Sequence, residues 1–194
     1  MAANILYEAP TWNQIYEILL TQAQRIQSDN YKPDIIVGVA RGGIVPACIL
    51  TDLLESADFA LIQIEYYSGI NQTWKEPILK QCLNTPLTDK KVLLVDDVSD
   101  SGRSLKLAKN HLQEQDAKEI RIATLYTKPA TITPPDYYEK QTNSWIVFPW
   151  DVKETVRKII EQKEGKRVVS QEITKLVKSG LPKKLVEKFL KDMS

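Results

Sequence analysis

The stretch KKVLLVDDVSDSGRSL, residues 90–105, sets Asp96, Asp97 and Asp100 behind an apolar run and follows them with Ser101, Gly102, Arg103 and Ser104. Carboxylates accept hydrogen bonds from hydroxyls and bind hard cations. Hydroxyls and free peptide N–H groups at a helix start bind anions. A sugar phosphate asks for both: its vicinal hydroxyls suit adjacent carboxylates, and its phosphate suits the helix start just downstream. A second turn, Ala40-Arg41-Gly42-Gly43, closes another apolar run, DIIVGV. Of the chain's 7 glycines, Gly38, Gly42, Gly43 and Gly102 lie in or beside these two turns, where backbone must approach a ligand closely. Neither turn carries GxxxxGK[ST] or GxGxxG, which argues against a nucleoside triphosphatase and a dinucleotide fold. His111, the sole histidine, falls in a predicted helix beyond the acidic motif and is badly placed to serve a Ser/His/Asp hydrolase; it reads as a surface or core histidine. Cys48 and Cys82 have no CxxC or Cys/His spacing, so neither a disulfide framework nor a zinc site is expected, and both read as core thiols.

These groups need a frame to bring them together. Apolar residues at 12, 15, 16, 19, 20, 23 and 26 predict an amphipathic helix over 12–28. Short apolar runs at 34–39, 60–66, 91–95 and 120–126 read as strands, alternating with helices over 44–55 and 103–115. Strand and helix in alternation predict an α/β fold with a central parallel sheet flanked by helices. All strand carboxyl ends then share one edge, and the two special turns meet there. Residues 67–80 are polar, hold Gly69 and Pro77, lack a period and read as a long mobile loop; 131–142 reads as an irregular excursion before the run WIVFPW. Helices are expected over 152–163, 170–179 and 182–193.

At 194 residues with 43% hydrophobic content, the chain can build one main core. Its net charge of +1 singles out neither nucleic acid nor membrane. The N-terminus lacks a signal-peptide pattern and no apolar stretch is long enough to span a bilayer, so a soluble cytoplasmic protein is expected.

The run VLLVDDVSDSGRSL closely resembles the 5-phosphoribosyl 1-diphosphate (PRPP) signature of the type I phosphoribosyltransferases. That signature is two acidic residues after a hydrophobic strand, then a loop closing on Thr/Ser-Gly-x-Thr/Ser. Ser101 stands where threonine is usual, and Arg103 where a second glycine is common. ARGG resembles the pyrophosphate loop of the xanthine-guanine type, with Ala40 replacing a serine. LYTKPA followed by SWIVFPWD is similar to the base-binding hood of the xanthine, guanine and hypoxanthine enzymes.

The resemblance covers about residues 5–151, taken as a phosphoribosyltransferase domain (1–151) with a hood over about 128–151, and 152–194 as a helical C-terminal extension. It implies transfer of the phosphoribosyl group from PRPP to N9 of a 6-oxopurine, with Mg²⁺ as cofactor, in purine salvage. Asp96 and Asp97 would then hold the ribose hydroxyls, directly or through the metal. Ser101, Gly102, Arg103 and Ser104 would hold the 5-phosphate, and Ala40, Arg41 and Gly42 the pyrophosphate. Asp100 would be the general base facing N7. Lys128 would reach the 6-oxo group, Trp145 would stack on the base and the Ile146 backbone would meet its pyrimidine edge. Asp97 and Asp151 are the metal candidates. A loop over about 66–80 would close on PRPP, with Ser68 and Lys75 contributing. PRPP and a purine are the expected partners, a homodimer the expected assembly, and membrane and nucleic acid are not expected.

Residues 152–194 carry 12 basic and 6 acidic side chains, a net of +6. A PRPP-binding transcription or RNA regulator of the same fold is therefore the rival reading, beside a transferase for another base. The lysines alternate with apolar positions, however, as on solvated faces of short helices.

Overall fold

The computed structural model describes residues 6–55, 58–67, 76–162 and 165–193. Packing divides the chain into two compact units, one of residues 16–142 and one joining 1–15 to 143–194.

The first unit is an α/β sandwich around a six-stranded sheet of order β4-β3-β2-β5-β6-β7. Strands β2 (Ile35–Ala40), β3 (Asp58–Tyr67), β5 (Lys91–Ser99), β6 (Glu119–Thr127) and the short β7 (Lys140–Gln141) run parallel. Their continuous apolar runs fit a sheet covered on both faces. At its centre Leu94 lies between Val37 of β2 and Ile122 of β6. Ile35, Val37 and Val39 pack with Leu105, Ala108 and Leu112 of α3 (Arg103–Glu114). A Cβ on Gly38 would press on Ala47 of α2 (Ile44–Leu53), so that glycine lets α2 settle on the sheet.

Helix α1 (Trp12–Ser28) buries Ile15, Leu19, Ala23 and Ile26, one stripe of the expected pattern, while Trp12, Tyr16 and Leu20 stay exposed.

Three expectations need correction. The segment expected to be a loop ends in a strand, β4 (Glu76–Gln81), antiparallel to β3 at the sheet edge. Pro77 misleads there because an edge strand can spare an N–H. Residues 68–75, with Ser68 and Lys75, lie outside the described residues. Strand β5 does not stop at Val95: it runs through both carboxylates to Ser99, pairing Asp96 with Thr124 and Val98 with Tyr126 of β6. Cys48 and Cys82 are exposed, since Cys48 falls on the outer side of α2 and Cys82 just past the edge strand. His111 is buried, and its Nε2 accepts the Leu83 N–H at 3.2 Å, as a core histidine would. The 131–142 excursion is largely irregular, with Asp136 accepting the Ile122 N–H at 2.7 Å.

In the second unit β1 (Tyr7–Glu8) pairs in parallel with β8 (Trp145–Ile146), a partnership between distant segments. Helices α4 (Val152–Gln162), α5 (Lys166–Lys178) and α6 (Lys183–Asp192) enclose Val147, Val156, Leu176 and Val186. Gly180 and Pro182 separate α5 from α6, matching the stop and start signals in the sequence. Tyr7 donates its hydroxyl to the buried Glu172 at 2.8 Å, and Lys175 reaches the same carboxylate at 2.7 Å. Among the described residues no helix is long and apolar enough to cross a membrane.

Leu94→Ala should lower the free energy of unfolding by roughly 2–5 kcal/mol, the range for a fully buried leucine. Urea denaturation measures it, and a loss below about 1 kcal/mol would show that the sheet centre relaxes around the gap.

Candidate active site

The chain leaves β2 toward β3 on one side and β5 toward β6 on the other, so the strand order reverses between β2 and β5, which run parallel. At such a point the flanking loops part and leave a crevice beyond the strand carboxyl ends. The turn after β2 and the acidic end of β5 both open onto this crevice. They touch: a Cβ on Gly42 would fall onto the Asp97 carboxylate, so only glycine fits. The Ala40–Arg41 peptide is cis, Ala40 is half-buried and Arg41 is exposed. The Gly43 N–H closes the turn onto the Val39 carbonyl at 2.8 Å.

Because β5 persists past its apolar run, alternation turns the two neighbouring carboxylates to opposite sides of the strand. Asp97 is 9% exposed, beneath Gly42. Asp96 opens onto the crevice, and its Oδ1 accepts the Asp97 N–H at 2.9 Å. Burial, then the negative charge of Asp97, hold the Asp96 carboxyl well above the usual carboxylate range, against the smaller opposing effect of that hydrogen bond. A carboxylate pair that resists ionisation suits a cation. Among the described residues no group of three or more His, Cys, Asp or Glu forms a complete metal cage. An all-oxygen pair nevertheless fits Mg²⁺, which takes one or two carboxylates and fills its shell from substrate phosphates and water.

Immediately downstream, Gly102 caps α3 in the left-handed region at φ 76°. A side chain there would also strike Thr131 and the Thr133 backbone. Glycine therefore lets the 101–104 turn fold back against the loop after β6. The Arg103 N–H approaches Ser101 Oγ at 3.4 Å, and Ser104 Oγ donates to the Tyr66 hydroxyl at 3.0 Å. Tyr66 also lies 3.5 Å from Ser101 Oγ. Asp96, Asp100, Ser101, Gly102, Ser104 and Tyr66 line one cavity of about 380 Å³, within the size range of small-molecule sites. Arg103 faces elsewhere, lining a separate depression of about 410 Å³ with Glu76, Lys106 and Ile132.

Lys128 follows β6, and its N–H donates to the Ser99 carbonyl at 2.9 Å, which anchors it one residue from Asp100. Trp145, Ile146 and Asp151 belong to the other compact unit. There Trp145 is 48% exposed, and the N–H groups of Trp145 and Val147 are spent on the carbonyls of Leu6, just before β1, and Glu8, at 2.7 and 2.8 Å. Alternation therefore turns the peptide groups of Ile146 to the opposite side. Asp151 starts α4, its carbonyl accepting the Thr155 N–H at 2.9 Å.

The sequence reading missed Tyr66, Ser99 and Thr131. Tyr66 lies one residue from the end of β3, where the sequence suggests both the last residue of a strand and the first of a loop, and the hydroxyls of Ser99 and Thr131 acquire partners only once β5 and the loop after β6 are side by side.

The buried carboxyl gives a pH-dependent prediction. In the chelated protein Asp96 binds its proton more tightly folded than unfolded. Stability should therefore fall as pH rises from the ordinary carboxylate range through the raised folded value, then level off. Asp96→Asn should raise the thermal midpoint at pH 8 and bring little change near pH 4. A midpoint at pH 8 that drops in the variant would show the carboxylate to be stabilising.

The sequence matches the family described as Phosphoribosyl transferase domain over residues 11–157. A xanthine-guanine phosphoribosyltransferase of Cereibacter sphaeroides is 30% identical over 152 residues, covering 73% of this chain and 85% of that protein. One from Nitratidesulfovibrio vulgaris is 31% identical over 144 residues, covering 73% and 82%. The crystal structure of a purine phosphoribosyltransferase from Pyrococcus horikoshii superposes with a TM-score of 0.69 at 38% identity, over 74% of this chain and 93% of that one.

Proposed function

The chain belongs to the phosphoribosyltransferase family, and on that premise we propose that it transfers the 5-phosphoribosyl group of PRPP to N9 of a 6-oxopurine and releases pyrophosphate. The observation that carries the reading is the single cavity in which Asp96 and Asp100 face Ser101, Gly102 and Ser104. Carboxylates for hydroxyls on one wall and a helix start for a phosphate on the other match a phosphorylated pentose.

In the reaction the bond from C1 of the ribose to pyrophosphate breaks as the bond to N9 forms, through a sugar with oxocarbenium character. No protein nucleophile takes part, so rate depends on holding purine and sugar in line. Ser101, Gly102, Arg103 and Ser104 bind the 5-phosphate, Arg103 through its backbone N–H because its side chain faces away. Asp96 orients the ribose hydroxyls from the cavity wall, while Asp97, on the other side of the strand beneath Gly42, takes its hydroxyl and metal roles from the family resemblance. Mg²⁺, when bound, offsets charge on the departing pyrophosphate. The turn of Ala40, Arg41 and Gly42, with Arg41 exposed, offers backbone and guanidinium donors to that same group. Asp100 takes or steers the proton on the purine imidazole nitrogens. Lys128 donates to the 6-oxo oxygen, where adenine would present a donor of its own. The hood roles of Trp145 and Ile146, and metal binding by Asp151, rest on the family resemblance alone. The same resemblance implies a cytoplasmic homodimer working in purine salvage.

The test mixes the protein with Mg²⁺, PRPP and guanine, xanthine, hypoxanthine or adenine separately and follows pyrophosphate release. Turnover with 6-oxopurines above adenine is expected. Tight PRPP binding without turnover on any base would make the chain a ligand sensor instead.

Asp100→Ala should cut kcat by about 10²–10⁴-fold while PRPP binds within a few-fold of normal; an unchanged kcat removes Asp100 as the base. Lys128→Gln should narrow the preference for a 6-oxopurine over adenine by at least about tenfold, the value of one lost charge-assisted hydrogen bond. If the ratio holds, Lys128 does not read that oxygen.

A further inference from the structure

We propose that the side chains of Ser99 and Thr131 form a hydroxyl latch that sets Asp100 at a fixed spacing from Lys128, so that both hydroxyls are positioning residues for purine recognition. The proposal rests on the transferase reading above.

Ser99 ends β5 and is 1% exposed. Its hydroxyl lies 2.9 Å from the Thr133 carbonyl and 2.7 Å from the Thr131 hydroxyl, and Thr131 Oγ1 is itself 3.4 Å from that carbonyl, so one hydroxyl donates to the other while the carbonyl accepts from the pair. The Thr133 N–H returns to Thr131 Oγ1 at 3.3 Å. Backbone bonds lie on either side of this pair. The Ser99 carbonyl accepts the Lys128 N–H at 2.9 Å, and the Ser101 carbonyl accepts the Ile132 N–H at 3.1 Å. The carbonyls immediately before and after Asp100 are thus both fastened to the loop that carries Lys128. Gly102 makes this possible, since any side chain there would occupy the place of Thr131 Oγ1.

Substrate chemistry gives the latch its purpose. N7 and the 6-oxo oxygen are neighbours on one edge of the purine, so a carboxylate and an ammonium that read them must keep a set separation. A misplacement of about 1 Å can cost on the order of 10² in rate. Ser99 pairs with Thr127 at the end of the β5–β6 ladder, so the sheet brings Asp100 and Lys128 side by side, but both lie beyond the ladder and Asp100 is exposed on a turn. Side chains without hydroxyls could fill the same space, but they would not fix the register of the two loops. The buried Ser99 hydroxyl does so because any other arrangement leaves it unpaired, and the half-buried Thr131 hydroxyl is its partner.

Ser99→Ala, Thr131→Val and Thr131→Ser are compared with wild type for kcat and KM on guanine and adenine, and for the Kd of ribose 5-phosphate, which reports the phosphate cradle alone. The Ala and Val variants should lose about 10–100-fold in kcat/KM for guanine and discriminate less against adenine. Ribose 5-phosphate should bind within about twofold of wild type, and Thr131→Ser should recover most of the activity. If Ser99→Ala does not fold, the half-buried Thr131→Val decides alone. Wild-type kinetics in the hydroxyl-free variants overturns the latch, as does a loss of ribose 5-phosphate affinity parallel to the loss on guanine. A wild-type protein inactive on every purine is a different failure: it removes the transferase reading, and the latch with it.

Discussion

Two adjacent carboxylates at the carboxyl end of the central strand repel each other and are partly stripped of water, and much of the surrounding architecture keeps them there. β5 lies between β2 and β6 and is too well paired to retreat, so Asp96 and Asp97 are carried to the sheet edge by its register. Gly42 then closes over one of them. Burial and the Asp97 charge make the Asp96 carboxyl hold its proton more readily than a free carboxyl would. Two like charges at this spacing become comfortable only when a ligand brings cationic charge and hydroxyl donors. In the proposed reaction, free energy that the fold forgoes at this point would be recovered on binding, as in a site made ready before its substrate arrives.

The rest of the proposed chemistry is positional. The cradle at the start of α3 and the loop bearing Lys128 are held together by backbone and hydroxyl bonds, and both grow from neighbouring strands of one parallel sheet. A reaction without a protein nucleophile needs such a frame, because its rate depends on how well two substrates are aligned. The lone histidine sits apart from that frame: His111 is buried and accepts the Leu83 N–H in the core.

Much of this was legible beforehand. The parallel sheet follows from apolar runs alternating with helical periods, and the meeting of ARGG with the acidic motif follows from the shared edge of strand ends. What escaped depends on pairing. Nothing local tells Glu76–Gln81 that β3 will serve as its partner, and a proline there argued the wrong way. Tyr7–Glu8 is too short to announce itself as a strand without Trp145–Ile146 beside it. The exposed cysteines show the limit of judging burial by residue type, since Cys48 sits off the stripe formed by Ala47 and Leu50. Tyr66 was misjudged for a related reason: a hydroxyl aimed at Ser104 is a product of tertiary structure and leaves no pattern along the chain.

The pairing of β1 with β8, and of Tyr7 with Glu172, fixes an order of assembly. Chains fold largely as they leave the ribosome, amino end first. The sheet of residues 16–142 has all its strands once Gln141 has emerged, but Tyr7 and Glu8 find their neighbours only when the later helices are made. Tyr7 and Glu8 are therefore made before the sheet yet can dock only after it, once Trp145–Ile146 and Glu172 exist.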